Sequence, residues 1–299
     1  MGYHSPVLLK ESVDALIGNV NGVYVDCTFG GGGHSREILK RLGEQGRLIS
    51  FDQDEDAKTN LIKDDRFQLV MQNFRFLKNN LRYLGIQKVE GILADLGVSS
   101  HQFDTPERGF STRFDGDLDM RMNQNSKLTA AKVLNEYSEE KLADIFYQYG
   151  ELKSSRRMAR EIVLGRNQRP IRTIEQLKQI FHYIPKNKEN KIFAQLFQSL
   201  RIEVNDEMSA LREMLQQTGE VIEQGGKLVV ISYHSLEDRL VKRYMKTGLF
   251  EGEPDRDVYG NWEAPFKPTQ SKIIVPTEEE IMENPRARSA KMRIAVKND

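Results

Sequence analysis

Cysteine is almost absent from this sequence of 299 residues, which contains Cys27 alone. One cysteine excludes a disulfide framework and any cysteine-rich zinc site, and it is typical of a reducing compartment. Long apolar runs are also absent. The longest one near the N-terminus is Val7 to Leu9, which is too short for a signal peptide or a membrane-spanning helix. We therefore expect a cytoplasmic globular protein without a membrane partner.

The chain has no net charge, because 44 lysines and arginines balance 44 acidic residues. Its positive charge is nevertheless concentrated in one region. Between residues 151 and 202, twelve basic side chains stand against four acidic ones, and twelve minus four gives +8. Such a region is typical of a surface that binds a nucleic-acid backbone, although a solvated charged face is the plain alternative. Helical spacing predicts one basic helix face, formed by Lys153, Arg156, Arg157 and Arg160.

The strongest local pattern lies between Val23 and Ser35. A strand pattern leads into four consecutive glycines at residues 30–33, and a helical pattern follows. A strand, a glycine turn and a helix form the first unit of a nucleotide-binding α/β sheet. A tight turn without a ligand is the alternative. The dinucleotide fingerprint is not matched, because the position of its third glycine falls on Ser35.

An acid at the end of the second predicted strand supports the nucleotide interpretation. Asp52 follows the strand pattern of residues 47–51 and lies nineteen residues after Gly33. An acidic side chain at this place typically accepts hydrogen bonds from ribose hydroxyls. We therefore predict a cofactor of the adenosine type.

Strand and helix patterns alternate at both ends of the chain but not in its middle. The alternation indicates a parallel sheet with helices on both faces. Residues 103–202 show no convincing strand: residues 108–122 are polar and irregular, and helical periodicity begins at Ala130. We predict an α/β domain of residues 1–104 and 205–299, interrupted by an all-helical insertion at residues 105–204. The predicted strands are residues 23–28, 47–52, 67–71, 89–95 and 227–232, with a surface loop at 251–270 and two paired edge strands at 273–275 and 293–296.

Three predicted strand ends carry polar side chains, at residues 30–34, 95–100 and 232–235. The carboxyl ends of parallel strands meet at one edge of a sheet, so we expect these residues to converge on one cleft. His34 and His234 belong to this set. Each also fits a structural role, His34 as a helix cap and His234 as a hydrogen-bonded structural histidine.

No metal site is predicted. Asp115, Asp117 and Asp119 alternate like the start of a calcium-binding loop. The position that requires glycine is occupied by Met120, however, and the position that requires glutamate is occupied by Ser126. We therefore expect no calcium here.

Seven longer motifs are spread over nearly the whole chain, at residues 4–9 (HSPVLL), 28–35 (TFGGGGHS), 95–100 (DLGVSS), 108–111 (RGFS), 118–122 (LDMRM), 232–238 (SYHSLED) and 288–291 (RSAK). Their combination closely resembles the S-adenosylmethionine-dependent methyltransferases that modify N4 of a cytidine in bacterial 16S ribosomal RNA. The resemblance implies a class I, Rossmann-like methyltransferase sheet with an inserted all-helical domain. It also implies an enzyme that uses S-adenosylmethionine and acts on 16S ribosomal RNA, within the small ribosomal subunit.

The resemblance further implies which residues contact the cofactor. The glycine turn would admit the methionine part, Asp52 would bind the ribose, and Asp95 would lie near the positively charged sulfur. A base in folded RNA would have to flip out to reach this cleft. By position, the family's cofactor contacts fall on Gly32, Gly33, His34, Asp52, Phe74, Asp95 and Gln102.

The side chain that assists the amine stays open. The cytosine amine is a poor nucleophile because its lone pair is delocalised into the ring, so an acceptor near N4 would help. Many amino-methyltransferases use an Asp/Asn-Pro-Pro-Tyr/Phe loop for this purpose. The matching residues 95–98 (DLGV) contain neither proline nor an aromatic residue. Ser232 and His234 are candidates by position alone.

Two other functions are alternatives. The first is a non-catalytic RNA-binding or ribosome-assembly protein with a vestigial methyltransferase fold, which the intact glycine turn and Asp52 disfavour. The second is an NAD-dependent oxidoreductase, which the missing third glycine and the basic region disfavour. Binding of S-adenosylmethionine distinguishes both from a methyltransferase.

Overall fold

The computed structural model describes residues 6–269 and 273–298, so His4 of the first motif lies outside the described residues. The chain divides into two compact units. The first unit comprises residues 1–97 and 209–299, and the second unit comprises residues 98–208. The insertion predicted at residues 105–204 falls inside the second unit.

The first unit contains a seven-stranded sheet with the strand order β3-β2-β1-β4-β5-β7-β6. Strands β1 to β5 run parallel, and β7 is antiparallel to both β5 and β6. The carboxyl ends of β1 to β5 therefore form one edge, which we call the carboxyl edge. The strands are β1 Val23–Asp26, β2 Arg47–Phe51, β3 Phe67–Val70, β4 Val89–Asp95, β5 Ile222–Ser232, β6 Phe266–Pro268 and β7 Lys291–Lys297.

Helices occur in both units, and six of those in the second unit, α4 to α9, follow one another without an intervening strand among the described residues. In chain order the helices are α1 Leu9–Leu16, α2 Gly33–Arg41, α3 Leu77–Tyr83, α4 Ser100–Asp104, α5 Ala130–Glu136, α6 Glu139–Gln148, α7 Ser155–Gln168, α8 Ile174–Ile180, α9 Lys186–Asn205, α10 Glu207–Val221, α11 Ser235–Thr247 and α12 Glu278–Glu283.

Strand β1 is buried on both faces, although its sequence alternates in the way a half-exposed strand does. Tyr24, Val25 and Asp26 are all buried, as expected for a parallel strand with helices on both sides of the sheet. The polar end of Tyr24 is satisfied locally. Its Oη accepts from the backbone N–H groups of Gly18 and Asn19 and donates to the carbonyl of Asn19.

The edge of the sheet differs from the prediction. Strand β7 lies between β5 and β6, and Ile274 forms only an isolated bridge with Met292. The strand that pairs with β7 on its outer side is β6, Phe266–Pro268, which lies inside the region predicted as a surface loop. Two of its three side chains, Lys267 and Pro268, are exposed, so the segment lacks apolar alternation. Proline and lysine are typical of edge strands, which other chains must not extend.

The second unit is helical and has its own apolar core, centred on α5 to α9. The polar segment of residues 108–122 contributes Phe110, Leu118, Met120 and Met122 to this core, which its irregular pattern did not predict. Asn205 holds the segment in place, because its Oδ1 accepts from Met122 N and its Nδ2 donates to Met120 O. The predicted Rossmann-like sheet with an all-helical insertion is confirmed. The helices of the described ranges are too short or too polar to cross a lipid bilayer.

Candidate active site at the carboxyl edge

The glycine turn after β1 has a backbone that only glycine adopts easily. Gly30 has φ 50° and Gly32 has φ 74°, both in the left-handed region. A Cβ on Gly32 would lie 3.0 Å from the ring of Phe29, and a Cβ on Gly33 would lie 2.1 Å from Cγ of Pro6. Helix α2 begins directly after the turn, so its unpaired first-turn N–H groups are available to an anionic group.

Three side chains fix the shape of this turn. Arg36 Nη1 donates to the carbonyl of Gly31 at 2.6 Å, and Asn60 Nδ2 donates to the carbonyl of Gly30 at 3.0 Å. Asp52 Oδ2 accepts from the N–H of Gly30 at 2.7 Å. Contacts within the protein therefore hold the turn in its conformation. The carbonyl of Gly31 accepts from Arg36 on α2, and the carbonyl of Gly30 accepts from Asn60 after β2.

Asp52 is a largely buried acid at the end of β2, as predicted. Its second oxygen accepts from the N–H of Asp54 at 2.9 Å. Burial raises the pKa of Asp52 to about 6, although its two backbone hydrogen bonds act in the opposite direction. Each carboxylate oxygen has more than one lone pair, so both can still accept hydrogen bonds from a diol.

A buried network behind the turn was missed by sequence reasoning. Asp26, the last residue of β1, accepts from Thr28 N at 3.0 Å and from Ser35 Oγ at 2.6 Å. Ser35 Oγ also lies 2.8 Å from Ser50 Oγ on β2. Thr28 Oγ1 in turn accepts from Asp95 N at 2.8 Å. The network ties the ends of β1, β2 and β4 together, and its only signal in the sequence was an acid ending an apolar strand.

Asp95, at the end of β4, contacts two other side chains of the carboxyl edge. Tyr233 Oη donates to Asp95 Oδ1 at 2.8 Å, and His34 Nδ1 lies 3.8 Å from Asp95 Oδ2. Burial raises the pKa of Asp95 to about 6, and His34 and Tyr233 lower it. Tyr233 was not predicted as a site residue, because it points to Asp95 only once β4 and β5 are paired.

The buried charge of Asp95 predicts a pH-dependent stability. Its pKa rises from 3.8 to about 6 on folding, so the folded state binds more protons between these values and loses stability as the pH rises through them. Asp95→Asn should therefore raise the free energy of unfolding at pH 8, by up to about 3 kcal/mol. Urea unfolding at pH 8 and pH 4 checks this, because the gain should nearly vanish at pH 4. If Asp95→Asn changes the free energy of unfolding by the same amount at pH 8 and pH 4, or lowers it at both, the burial argument is contradicted.

Ser232 and His234 flank Tyr233 and have structural partners. Ser232 Oγ donates to the carbonyl of Lys291 at 3.4 Å. His234 caps α11, since its Nδ1 accepts from Glu237 N at 3.4 Å, while its Nε2 lies 3.1 Å from Glu237 Oε1. Of these three neighbours, Tyr233 is the one that contacts Asp95. The catalytic role of Ser232 and His234 stays a prediction.

Phe74 and Gln102 complete the set of predicted cofactor contacts. Phe74 is partly exposed and begins a short 3-10 turn after β3. The preceding Asn73 donates from Nδ2 to Gln53 Oε1 at 2.9 Å, which links this turn to the residue after Asp52. Gln102 belongs to the second unit, where its Oε1 accepts from Ser99 N at 3.0 Å in the capping box of α4.

The basic residues of the second unit are not equivalent. Lys153 precedes α7, so the prediction that it shares one helix face with the three arginines is wrong. Arg157 lies 4.3 Å above the ring of Tyr183 and pairs with Glu161 at 2.9 Å. Arg156 and Arg160 are exposed and have no ion pair or hydrogen-bond partner within residues 98–208 as described. Lys153, just before the helix, is also exposed and unpaired within the same described range.

The other basic residues of the second unit also include both bound and unpaired side chains. Arg166 donates to the carbonyls of Leu134 and Tyr137, at 2.8 and 2.6 Å. The local charge of +8 therefore overstates the free positive charge. A second group is exposed and lacks ion-pair partners in the described part of the second unit, and it comprises Lys186, Lys188 and Lys191 at the start of α9.

The chain is similar to known proteins over nearly its full length. A sequence profile of the MraW methylase family matches residues 1–298. Among curated relatives, the "Ribosomal RNA small subunit methyltransferase H" of Flavobacterium johnsoniae is 59% identical over 298 residues, covering 99% of this chain and 98% of that protein. The protein of the same name from Bacteroides thetaiotaomicron is 59% identical over 296 residues, covering 99% and 97%. A solved putative rRNA-methylase from Clostridium thermocellum aligns with a TM-score of 0.44 and 13% identity, covering 98% of this chain and 97% of that chain.

Proposed function

We propose, from the premise that this chain belongs to the MraW methylase family, that it methylates the N4 amino group of a cytidine in 16S ribosomal RNA. The chain is an S-adenosylmethionine-dependent methyltransferase. One observation carries the proposal for its site. At the carboxyl edge, two largely buried acids, Asp52 and Asp95, lie beside a left-handed glycine turn. A reaction on ribosomal RNA also implies a cytoplasmic enzyme.

The residues of the carboxyl edge fit S-adenosylmethionine. Gly32 has φ 74°, and a side chain on it would collide with the ring of Phe29, so the tight turn that brings the first N–H groups of α2 to the carboxyl edge requires glycine here. Asp52 retains lone pairs for the ribose hydroxyls. Asp95 supplies negative charge, which a positively charged sulfonium favours. Phe74 and Gln102 stay proposed contacts by resemblance.

The cofactor supplies an electrophilic methyl group, and the chain supplies position and charge. Methyl transfer is an in-line displacement, so holding nitrogen, carbon and sulfur collinear gives most of the rate gain. The glycine turn is fixed by Arg36, Asn60 and Asp52. Such a fixed turn keeps the geometry without reorganisation during the reaction.

The second unit is proposed to hold the RNA backbone. Arg156 and Arg160 on α7 are exposed and have no acidic partner within the described second unit. Arginine binds phosphate oxygens in a bidentate way. Contacts of this kind do not depend on base sequence. We therefore propose that the base is selected at the carboxyl edge and that the second unit supplies affinity.

The proposal is tested with labelled S-adenosylmethionine and two substrates, free 16S ribosomal RNA and assembled small subunits, both from cells that lack this methyltransferase. We expect label in the RNA, and we propose the assembled subunit as the better substrate. Transfer of label to neither substrate, despite cofactor binding, would contradict the proposed function.

A further prediction for the carboxyl edge concerns the binding of the ribose. Asp52→Ala should weaken S-adenosylhomocysteine binding by about ten- to a hundred-fold, since charge-assisted hydrogen bonds contribute about 1.5–3 kcal/mol. Asp52 also holds Gly30, so calorimetry should include a 2′,3′-dideoxy analogue, which lacks the diol. Wild type and variant should bind the analogue with similar affinity. An equal loss for both ligands would mean that Asp52 acts only on the turn.

A further inference from the structure

We propose that Asp95 accepts the proton of the attacking amine, and that Tyr233 is a positioning residue that directs and tunes its carboxylate. This inference rests on the proposed function. It departs from the positional candidates Ser232 and His234. Ser232 Oγ donates to the carbonyl of Lys291, and His234 Nδ1 caps α11. His234 Nε2 is buried 3.1 Å from Glu237 Oε1 and makes no hydrogen bond within the described residues. Three observations support it: the contact of Tyr233, the tautomer of His34 and the access of Asp95 to solvent.

The contact of Tyr233 occupies one oxygen of Asp95 and leaves the other. Tyr233 Oη has a proton to donate, and Asp95 Oδ1 accepts it at 2.8 Å. The backbone of Tyr233 is itself fixed, because its N–H donates to Glu237 Oε2 at 2.9 Å. This arrangement fixes the plane of the Asp95 carboxylate and leaves Oδ2 as the oxygen that can take a proton.

The surroundings of His34 define what Oδ2 faces. Nε2 of His34 lies 3.2 Å from the carbonyl of Val7. A carbonyl only accepts, so Nε2 carries the hydrogen. Nδ1 of His34 lies 3.8 Å from Asp95 Oδ2, beyond hydrogen-bond distance. When His34 is neutral, Nδ1 has a lone pair and donates no hydrogen to Oδ2, which leaves this oxygen open to a proton from the amine. When His34 is protonated, its charge lowers the pKa of Asp95.

The electrostatics around Asp95 agree with this role. Burial raises the pKa of Asp95 to about 6, and Asp26 and Glu237 raise it further, while His34 and Tyr233 lower it. These groups come from α2, β1, α11 and the end of β5. At pH 7 to 8 the carboxylate is therefore mostly ionised but more basic than an exposed aspartate. Its side chain is 21% exposed, which gives the proton a path to solvent.

The attacking amine loses one proton in the course of methyl transfer. The N4 lone pair forms a bond to the methyl carbon, the carbon–sulfur bond breaks, and its electron pair remains on sulfur. N4 then carries one proton too many and a positive charge. The ionised Asp95 takes that proton at Oδ2, becomes neutral and releases it to water.

Tyr233→Phe tests the proposal, with Tyr83→Phe as the matched control, since Tyr83 is 88% exposed on α3. Loss of the hydrogen bond should raise the titration midpoint of Asp95 by about one pH unit. We would measure it by carbon NMR of aspartate-labelled protein without ligand, with the resonance assigned through Asp95→Asn. The acid limb of the single-turnover rate should move by the same amount. Binding of S-adenosylhomocysteine at pH 8 should change less than two-fold.

Three results would overturn the proposal. In the first, the titration midpoint of Asp95 is the same in Tyr233→Phe and wild type. In the second, the midpoint moves but the acid limb of the single-turnover rate does not. In the third, the single-turnover rate of Tyr233→Phe falls by the same factor at every pH. The NMR titration requires neither RNA nor turnover. A wild-type protein that labels no RNA at any pH would therefore identify a failure of the proposed function, which removes the acceptor role with it.

Discussion

Asp95→Asn should lower the single-turnover rate by a hundred-fold or more and leave the protein folded. General base assistance contributes about 10²- to 10⁴-fold, and an asparagine accepts no proton at neutral pH. The shape of the site should persist, because the amide oxygen can accept from Tyr233 as Oδ1 does. The variant should even be more stable at pH 8, since it removes a buried charge. A loss of rate combined with a gain of stability is typical of a functional site.

Two neighbouring variants serve as controls for this experiment. Ser232→Ala and His234→Ala should retain turnover within about ten-fold, and His234→Ala should cost about 1 kcal/mol of stability through the lost cap of α11. All three proteins are compared in single-turnover assays at saturating cofactor. Near wild-type turnover of Asp95→Asn, or a hundred-fold loss in either control, would transfer the acceptor role away from Asp95.

The second large effect concerns RNA binding. Arg156→Glu together with Arg160→Glu should weaken RNA affinity by roughly ten- to a hundred-fold at low salt. It should also reduce the slope of log affinity against log salt by about 2, because each phosphate contact releases about one counterion. Arg157 is left unchanged, since it packs on Tyr183 and pairs with Glu161. Affinity for S-adenosylhomocysteine should not change.

A matched control places the same charge change in the first unit. Arg47→Glu together with Lys63→Glu alters two exposed basic residues, and the salt dependence should stay that of the wild type. Filter binding at two salt concentrations compares the three proteins. If the α7 variant retains the wild-type slope, the second unit binds RNA elsewhere or not at all. Measuring the salt dependence after Lys186, Lys188 and Lys191 are changed to Glu would then distinguish RNA binding elsewhere on the second unit from no binding.

The sequence predicted those parts of the site that local pattern determines. A glycine turn after a strand requires positive φ, and Gly30 and Gly32 have it. The acids Asp52 and Asp95 end parallel strands, so their convergence on one edge follows from topology. The all-helical insertion followed from helical periodicity that begins at Ala130 and from the lack of a strand pattern over residues 103–202.

The remaining features depend on tertiary contacts that no local pattern encodes. Tyr233 reads as an ordinary strand-end residue until β4 and β5 pair and bring it to Asp95. The Asp26–Ser35–Ser50 network joins three separate segments. The edge strand Phe266–Pro268 carries the polar residues that discourage edge pairing, and these same residues give it the pattern of a loop.

The charge count shows a similar limit. Residues 151–202 carry +8 by composition, yet Arg166 donates to backbone carbonyls and Arg157 packs on Tyr183. A sequence shows how many charges are present, but only the fold shows which of them are already paired. Of the predicted four residues, Arg157 is packed and paired, so the candidate phosphate contacts are Arg156 and Arg160 on α7 and Lys153 just before it.

The identity of the modified nucleoside tests the central claim most directly. Small ribosomal subunits from cells without this methyltransferase are incubated with the protein and methyl-labelled S-adenosylmethionine, and the RNA is digested to nucleosides for mass spectrometry. The proposed function predicts the label in a cytidine methylated at N4 and no label with Asp95→Asn. Label in another nucleoside, at C5 of cytidine, or in ribosomal protein alone would contradict it.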